Sequence, residues 1–371
     1  MSERKRAVVA GHICLDITPV FPEEKGAAFS SVFSPGTLTN VGPAQLSPGG
    51  AVANTGQAMA LFGADVTLMG KVGDDPLGRT LLSLLGSREG MIVSPGAATS
   101  YSVVLALPGS DRFFLHCPGA NDTFCAGDLN RERLRGASHF HFGYPPLMRR
   151  LYEDGGEELA RIFSLAKEAG LSTSLDLASV EPDSPAGRAD WEGILSRVLP
   201  LVDFFTPSAE ELCYMLDRPR FARWREQAGG SDPMLLLRPE EDIAPLAERA
   251  GALEAKAVLI KCGAPGLLLR TGDAQTMSSI PGLEWPQAWA GLSLFEKSYR
   301  PSVLRSATGA GDVSIAAFLA ALLEGCPPQE CLRLAAGAGA SCVEGYDALS
   351  ALLPFPALRE KIAAGWEKQA F

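Results

Sequence analysis

The chain has 371 residues, 33 Lys+Arg against 43 Asp+Glu, and a hydrophobic fraction of 46%. That length exceeds a small stapled scaffold and fits one large α/β domain or two modest ones, and the hydrophobic fraction supports a substantial core and excludes wholesale disorder. The formal charge of −10 argues against a nonspecific grip on nucleic acid or an anionic membrane, although a few oriented backbone N–H groups hold phosphate on an acidic protein.

The first residues, MSERKRAVVAGHICLD, place an apolar patch after basic ones. The patch is short and Asp16 interrupts it, so residues 7–11 read as a first β-strand rather than an export signal. Residues 19–48, with five prolines, read as loop. Gly49-Gly50 then opens a helix, AVANTGQAMALF, which Gly63 stops. A strand at 66–69 and a second helix from Pro76 complete an alternation that predicts a parallel sheet with helices on its faces.

Residues 100–121 break the rhythm. There SYSVVLAL and RFFLHC flank Pro-Gly-Ser-Asp, two β-rich runs around a turn-forming cluster. Together with the earlier loop-rich stretch this predicts a small lid, from about 17–47 and 99–122, woven into a single domain over 1–371. The alternation resumes with strands at 138–142, 173–177, 202–205, 258–261 and 266–269, and with helices such as 157–169 and 210–216. Residues 217–245 and 281–303 read as extended loops or insertions. His139 and His141 share one face of a strand and read as packed or surface residues. The eight cysteines and four histidines form no zinc spacing, and scattered reduced thiols predict a cytoplasmic protein. The longest apolar run, 315–323, is about half of the roughly 18 residues that a membrane helix requires.

Three segments carry chemistry. In Thr308-Gly-Ala-Gly-Asp312 a glycine-rich turn precedes a nearly all-apolar run, so it lies at the N-terminus of a buried helix. Gly309 and Gly311 let backbone N–H groups converge on one spot, and the helix dipole adds positive potential there. That is an anion site suited to phosphate. Asp312 stands at its lip, where a carboxylate is useful if it accepts a proton from an attacking hydroxyl. A plain helix cap on a tight turn is the competing reading. GxxxxGK[ST] occurs nowhere, and Ser314 replaces the third glycine of a dinucleotide fingerprint. In Pro48-Gly-Gly-Ala-Val-Ala-Asn-Thr-Gly56, two glycines again open a helix, and Asn54 falls one turn in. Gly70-Lys-Val-Gly-Asp-Asp-Pro-Leu-Gly78 is a turn cluster after a strand. For each, a cap or turn is the structural alternative.

With GGAVANTGQAMALFGADVTLMGKVGDDPLG early and ATGAGDVSIAAFLAALLEG late, the chain resembles the ribokinase-like (PfkB-type) carbohydrate kinase family over roughly residues 6–350. The resemblance implies an α/β fold: a doubly wound, mostly parallel sheet flanked by helices, with a small β-sheet lid. It implies transfer of the ATP γ-phosphoryl group to a hydroxyl of a sugar, sugar phosphate or nucleoside. Asp312 then corresponds to the catalytic base, and Gly309, Ala310 and Gly311 to the anion hole. Asp16, Gly49, Gly50 and Asn54 correspond to acceptor contacts, with Asn121 a weaker one. Lys261, Gly263 and Gly266 resemble the nucleotide-side loop. Ser208 and Glu211 fall in the family's Asn-x-x-Glu motif, whose Glu influences Mg²⁺, here through water.

The sequence departs from the family pattern at several positions. Ser306 and Ala307 replace the usual Asp-Thr, which argues against activation by a monovalent cation such as potassium. Ser208 replaces the Asn of Asn-x-x-Glu. Ala51 and Cys14 replace the Lys and Asn of ribose-specific members. The acidic balance favours a neutral acceptor over a sugar phosphate, and the loops near Asp16, Asn121 and Tyr144 govern its choice. A sugar- or nucleoside-binding regulator that kept the fold and lost activity is the alternative; a nucleotide-dependent dehydrogenase lacks the Gly-rich turn after the first strand. Exposed lid edges predict a homodimer through the lid, and no nucleic acid or membrane partner is expected.

Overall fold

The structure, a computed structural model, describes residues 5–21, 35–36, 38–107 and 113–370. In chain order the elements are β1 (Arg6–Gly11), β2 (Cys14–Thr18), β3 (Gln45–Gly49), α1 (Ala51–Leu61), β4 (Asp65–Met69), β5 (Lys71–Gly73), α2 (Pro76–Leu84), β6 (Ile92–Ser94), β7 (Tyr101–Leu105) and β8 (Phe113–Cys117). They continue with β9 (His139–Gly143), α3 (Glu157–Glu168), β10 (Ser172–Asp176), β11 (Phe204–Phe205), α4 (Ala209–Leu216), α5 (Arg218–Ala228), α6 (Ala244–Ala252), β12 (Ala257–Lys261), β13 (Gly266–Thr271), β14 (Ser293–Lys297), α7 (Ala310–Leu323) and α8 (Pro328–Cys342). Shorter helical turns join several of these.

The main sheet has eight strands in the order β14-β13-β12-β11-β10-β9-β1-β4. Neighbours from β12 to β4 run parallel, and β13 is antiparallel to both β12 and β14. The expected mostly parallel sheet is therefore observed. The central strands are buried on both faces, as parallel strands with helices on each side must be. Strand β1 shows it: Ala7 and Val9 pack into the core under α1 and α7, while Val8 and Ala10 pack into the opposite core with α3. Each fully buried Val, Leu or Phe in these layers contributes about 2 kcal/mol of transfer free energy.

A second, four-stranded sheet runs β3-β2-β7-β8. It joins strands from both segments that broke the strand–helix rhythm. Strand β2 is antiparallel to β3 and parallel to β7, and β7–β8 is the expected antiparallel pair. The turn predicted at Pro-Gly-Ser-Asp and much of the 19–48 stretch lie outside the described residues.

The loop readings need correction. Gln45–Gly49 is a strand, and so is Cys14–Thr18 just ahead of the loop-rich stretch. Residues 217–245 contain α5, whose first turn holds Pro219 and is capped by the Asp217 side chain. Residues 281–303 contain β14, the far edge of the main sheet. His139 and His141 are packed: both are buried, with ring nitrogens 2.8 Å from Ser172 and Ser174 hydroxyls. Among the described residues all eight cysteines are free, and no helix is long and apolar enough to cross a membrane.

Candidate active site

Two helix N-termini meet at the carboxyl ends of the strands. Helix α7 is buried along nearly its whole length, so its N-terminus is fixed by the core beneath. Its preceding residue, Gly309, has φ 77°, and a Cβ there would lie 2.5 Å from the Ala348 Cβ. Helix α1 begins after Gly50, which has φ 83°; a Cβ there would lie 2.6 Å from His12 Nδ1. Both positions demand glycine for conformation and for room.

Asp312 lies in the first turn of α7, 3% exposed. The Asn54 Nδ2 of α1 donates to its Oδ2 at 2.9 Å, and the Thr55 hydroxyl approaches Oδ1 at 3.4 Å. The Tyr144 hydroxyl lies 2.8 Å from both carboxylate oxygens. Burial pushes the Asp312 carboxyl above the usual range, and the Asn54 and Tyr144 donors and the Lys261 ammonium pull against it.

On one side of Asp312 opens a cavity of about 860 Å³. Gly309, Ala310 and Gly311 line it, with Lys261, Gly263, Gly266, Ser208 and Glu211. The Lys261 stem passes beneath the helix start, its Cδ 3.3 Å from where a Cβ on Gly311 would sit. Its ammonium is ion-paired with the buried Asp176 at the end of β10. Burial disfavours the Lys261 ammonium, but Asp176 and Glu211 outweigh that and hold its pKa above the ordinary lysine value. Ser208 and Glu211 form a capping box on α4: the Ser208 N–H donates to Glu211 Oε2 at 2.8 Å, and the Glu211 N–H to Ser208 Oγ at 3.2 Å. Their side chains are ordered against each other at the cavity wall.

On the other side stands the small sheet. Asp16 lies on β2, and a Cβ on Gly49 would fall 2.2 Å from its Oδ2. The Cys14 thiol donates to Asp16 Oδ1 at 3.3 Å. Asn121 sits elsewhere in this arrangement. It is fully buried, accepts from the Ile13 N–H at 3.2 Å and donates to the Ile13 carbonyl at 2.9 Å. Its amide pins the bend between β1 and β2. Ser306, at the position of the family's cation-site Asp, accepts from the Thr308 N–H at 3.2 Å.

The structure thus draws Asp312, Gly309–Gly311, Asn54, Gly50, Lys261 and Glu211 into one region. Three polar contributors escaped the sequence reading. Tyr144 was anticipated only as part of a loop governing the acceptor; Asp176 and Thr55 were not anticipated. Tyr144 follows β9 and Asp176 ends β10. Position at the carboxyl end of a parallel strand is the signal that finds them. Nearby, His12 is buried with its Nε2 3.4 Å from His116 Nε2, and its Nδ1 has no partner among the described residues. Burial pushes His12 down to about 3, so it is neutral.

Fructokinase-1 of Zea mays is 32% identical over 136 residues, 35% of this chain and 41% of that protein. The chain spans about half the length of the curated relatives it matches. Among solved structures, Arabidopsis thaliana ribokinase complexed with ribose and ATP has a TM-score of 0.68 at 20% identity, over 96% of this chain and 98% of that one. Fructokinase with bound ATP from Xylella fastidiosa has a TM-score of 0.68 at 18% identity, over 98% and 99%. These likenesses establish a ribokinase-like fold. The family model for pfkB family carbohydrate kinases matches residues 5–354, nearly the whole chain, and the chain belongs to that family.

Proposed function

We propose that this protein is an ATP-dependent phosphotransferase that moves the γ-phosphoryl group to a hydroxyl of a neutral sugar or nucleoside. The observation that carries the reading is the Asp312 carboxylate, buried at a helix N-terminus between a large cavity and the acceptor side of the small sheet. ATP occupies the cavity, with its γ-phosphate against the N–H groups of residues 309–312, where glycines leave the backbone bare and the helix dipole favours negative charge. Ser208, Gly263 and Gly266 border the nucleotide.

Asp16, Asn54 and the Gly49–Gly50 backbone orient the acceptor. Its hydroxyl proton passes to Asp312 as the oxygen forms a bond to the γ-phosphorus. The bond from that phosphorus to the bridging oxygen breaks, and ADP leaves. Positioning and electrostatics supply most of the rate, and the base adds about 10²–10⁴-fold. The small sheet acts as a lid that keeps water from the γ-phosphate.

Among the described residues there is no group of three or more His, Cys, Asp and Glu able to hold a metal ion. Mg²⁺ would be held mainly through nucleotide phosphates and water, with Glu211 at the cavity wall available to its outer shell. Bound Mg²⁺ would neutralise phosphate charge. The Ser306 hydroxyl already serves the Thr308 N–H and carries no charge to replace the family's Asp, so no monovalent cation is required.

Fructose is the first acceptor to test, because the similar curated proteins are named fructokinases. ADP production is measured with ATP, Mg²⁺ and a panel of ketoses, aldoses, sugar acids and nucleosides, with and without potassium. A neutral sugar or nucleoside should stimulate ADP formation far above the acceptor-free rate, equally in both salts. No stimulation across the panel, with ATP bound, would contradict the reading.

A further inference from the structure

The deeper feature of this site is how a buried carboxylate is kept ready to accept a proton. Tyr144 is the residue that stands out. It is one of three non-glycine residues with positive φ among the described residues, at φ 67° and ψ 41°. That left-handed conformation is unfavourable for a residue with a Cβ and persists only where its surroundings enforce it. Here the Tyr144 N–H donates to the Asp176 carbonyl at 3.2 Å and its hydroxyl is held by Asp312, against the extended conformation that the following Pro145 favours. The result turns the phenol back to straddle both oxygens of Asp312 at 2.8 Å.

We propose that Tyr144 is a positioning residue for the base: its hydroxyl holds the Asp312 carboxylate ionised and aimed, and moves to one oxygen when the acceptor hydroxyl takes the other. This rests on the reading of Asp312 as base. The straddling contact is what such a handover requires. Asn54 already serves Oδ2, so a Tyr144 confined to Oδ2 leaves Oδ1, against which only the 3.4 Å Thr55 contact competes, for the acceptor. The phenol does not itself take the proton. Burial, then the Asp312 and Asp176 charges, push Tyr144 well above the ordinary tyrosine range, so it remains a donor.

The other titratable groups around the pair act on the carboxylate through charge rather than through a hydrogen bond, Lys261 favouring its ionised form and Glu211 opposing it. Lys261 of β12 is itself ion-paired with Asp176 of β10, whose carboxyl burial pushes up to about 8, and Glu211 of α4 accepts from the Ser208 N–H. His12 is neutral, its ring centroid 6.1 Å from that of Tyr144. Cys14 of β2 and Cys342 of α8, which also feel the Asp312 charge, are both pushed upward by burial and stay thiols. Removing the phenol hydroxyl therefore removes one of the two close donors to the carboxylate and leaves Asn54 as the other.

The test is Tyr144→Phe, with pH profiles of kcat/KM for the acceptor and a measured Kd for ATP. The base must be deprotonated, so losing a donor to its charged form raises its pKa and moves the acid limb to higher pH, by about one unit. At neutral pH kcat should fall about tenfold to hundredfold, with ATP affinity unchanged within about twofold. A fall in rate with the acid limb unmoved, a fall accompanied by lost ATP binding, or an unchanged rate would each overturn the assignment. Asp312→Asn separates the two readings. If it is nearly inactive and Tyr144→Phe leaves the limb in place, only the role of Tyr144 fails. If Asp312→Asn turns over normally, the base reading fails, and this inference with it.

Discussion

Asp312 is buried, yet as the proposed base it would have to be ionised to accept a proton, and the residues around it reconcile these demands. An unpaired carboxylate in such surroundings would hold its proton well above the ordinary range. Two close donors and the Lys261 ammonium oppose that. Asp312→Asn keeps the size and most of the hydrogen bonding but removes the base and the charge. Turnover should fall by about 10²–10⁴-fold. ATP affinity should stay within about threefold, because the backbone N–H groups that meet phosphate are untouched. Isothermal titration beside a coupled ADP assay separates the two quantities. Near-normal turnover would remove Asp312 from the chemistry. At this scale the sequence was informative where a residue lies inside a short motif. Asp312, Gly309 and Asn54 were legible; Tyr144 was not as a partner of the base, because it lies 168 residues from Asp312 and only closure of the sheet brings them together.

At the scale of elements, local chemistry explains both what the sequence revealed and what it hid. Strands such as β1, β12 and β13, and helix α7, carry apolar runs and were legible. Helix α5 is polar and basic and lacks an apolar stripe, and its Pro219 lies in the first turn, where proline is compatible with a helix. Strand β14 is a half-exposed edge, and β3 contains Pro48, so neither shows clean alternation. Their pairing with neighbours, rather than their own pattern, makes them strands. The Gly-Asp-Asp-Pro cluster illustrates a motif that turns out to be structural. Asp75 caps α2, accepting from the Gly78 N–H at 2.7 Å, the Thr99 N–H at 2.8 Å and the Thr99 hydroxyl at 2.7 Å. It thereby ties the helix to the segment entering β7. Burial works to raise its pKa, but the Thr99 and Gly78 donors outweigh that and hold it below the ordinary value. Its contribution is therefore present above the ordinary Asp pKa and is lost as pH falls through the depressed one. Asp75→Ala should destabilise the fold by about 2 kcal/mol. Thermal melts at neutral pH should show a lower Tm, with the difference from wild type shrinking in acid. An unchanged Tm, or a selective loss of acceptor binding, would give Asp75 a different role.

At the scale of the whole molecule, the −10 charge is compatible with the proposed phosphate site, because that site would meet the anion with helix-end backbone rather than with a basic patch. The same division of labour shapes the small sheet. The register pairs Asp16 with Ser102 and Ser102 with His116, so these side chains share one face of the sheet. Leu15, Ile17 and Tyr101 lie on the other face and pack against the core. Strand β8 is the outer edge of this sheet, and no strand pairs with that edge among the described residues. Phe113, Phe114 and Leu115 on it are 45%, 55% and 60% exposed. A hydrophobic strand at the edge of a sheet is a template for a second chain. Pairing with a second copy would bury those side chains and satisfy the edge in one step, so the protein should run as a dimer at micromolar concentration. Leu115 is the residue to change, since it lies on the face away from Asp16. Leu115→Glu places a like charge against its symmetry mate or its neighbours in an interface of the usual size, and should shift the dimer toward monomer by at least about tenfold in dissociation constant. Light scattering after size exclusion reads this directly. A wild-type monomer at every concentration would overturn the pairing, and a Leu115→Glu protein that stays fully dimeric would move the interface off this edge.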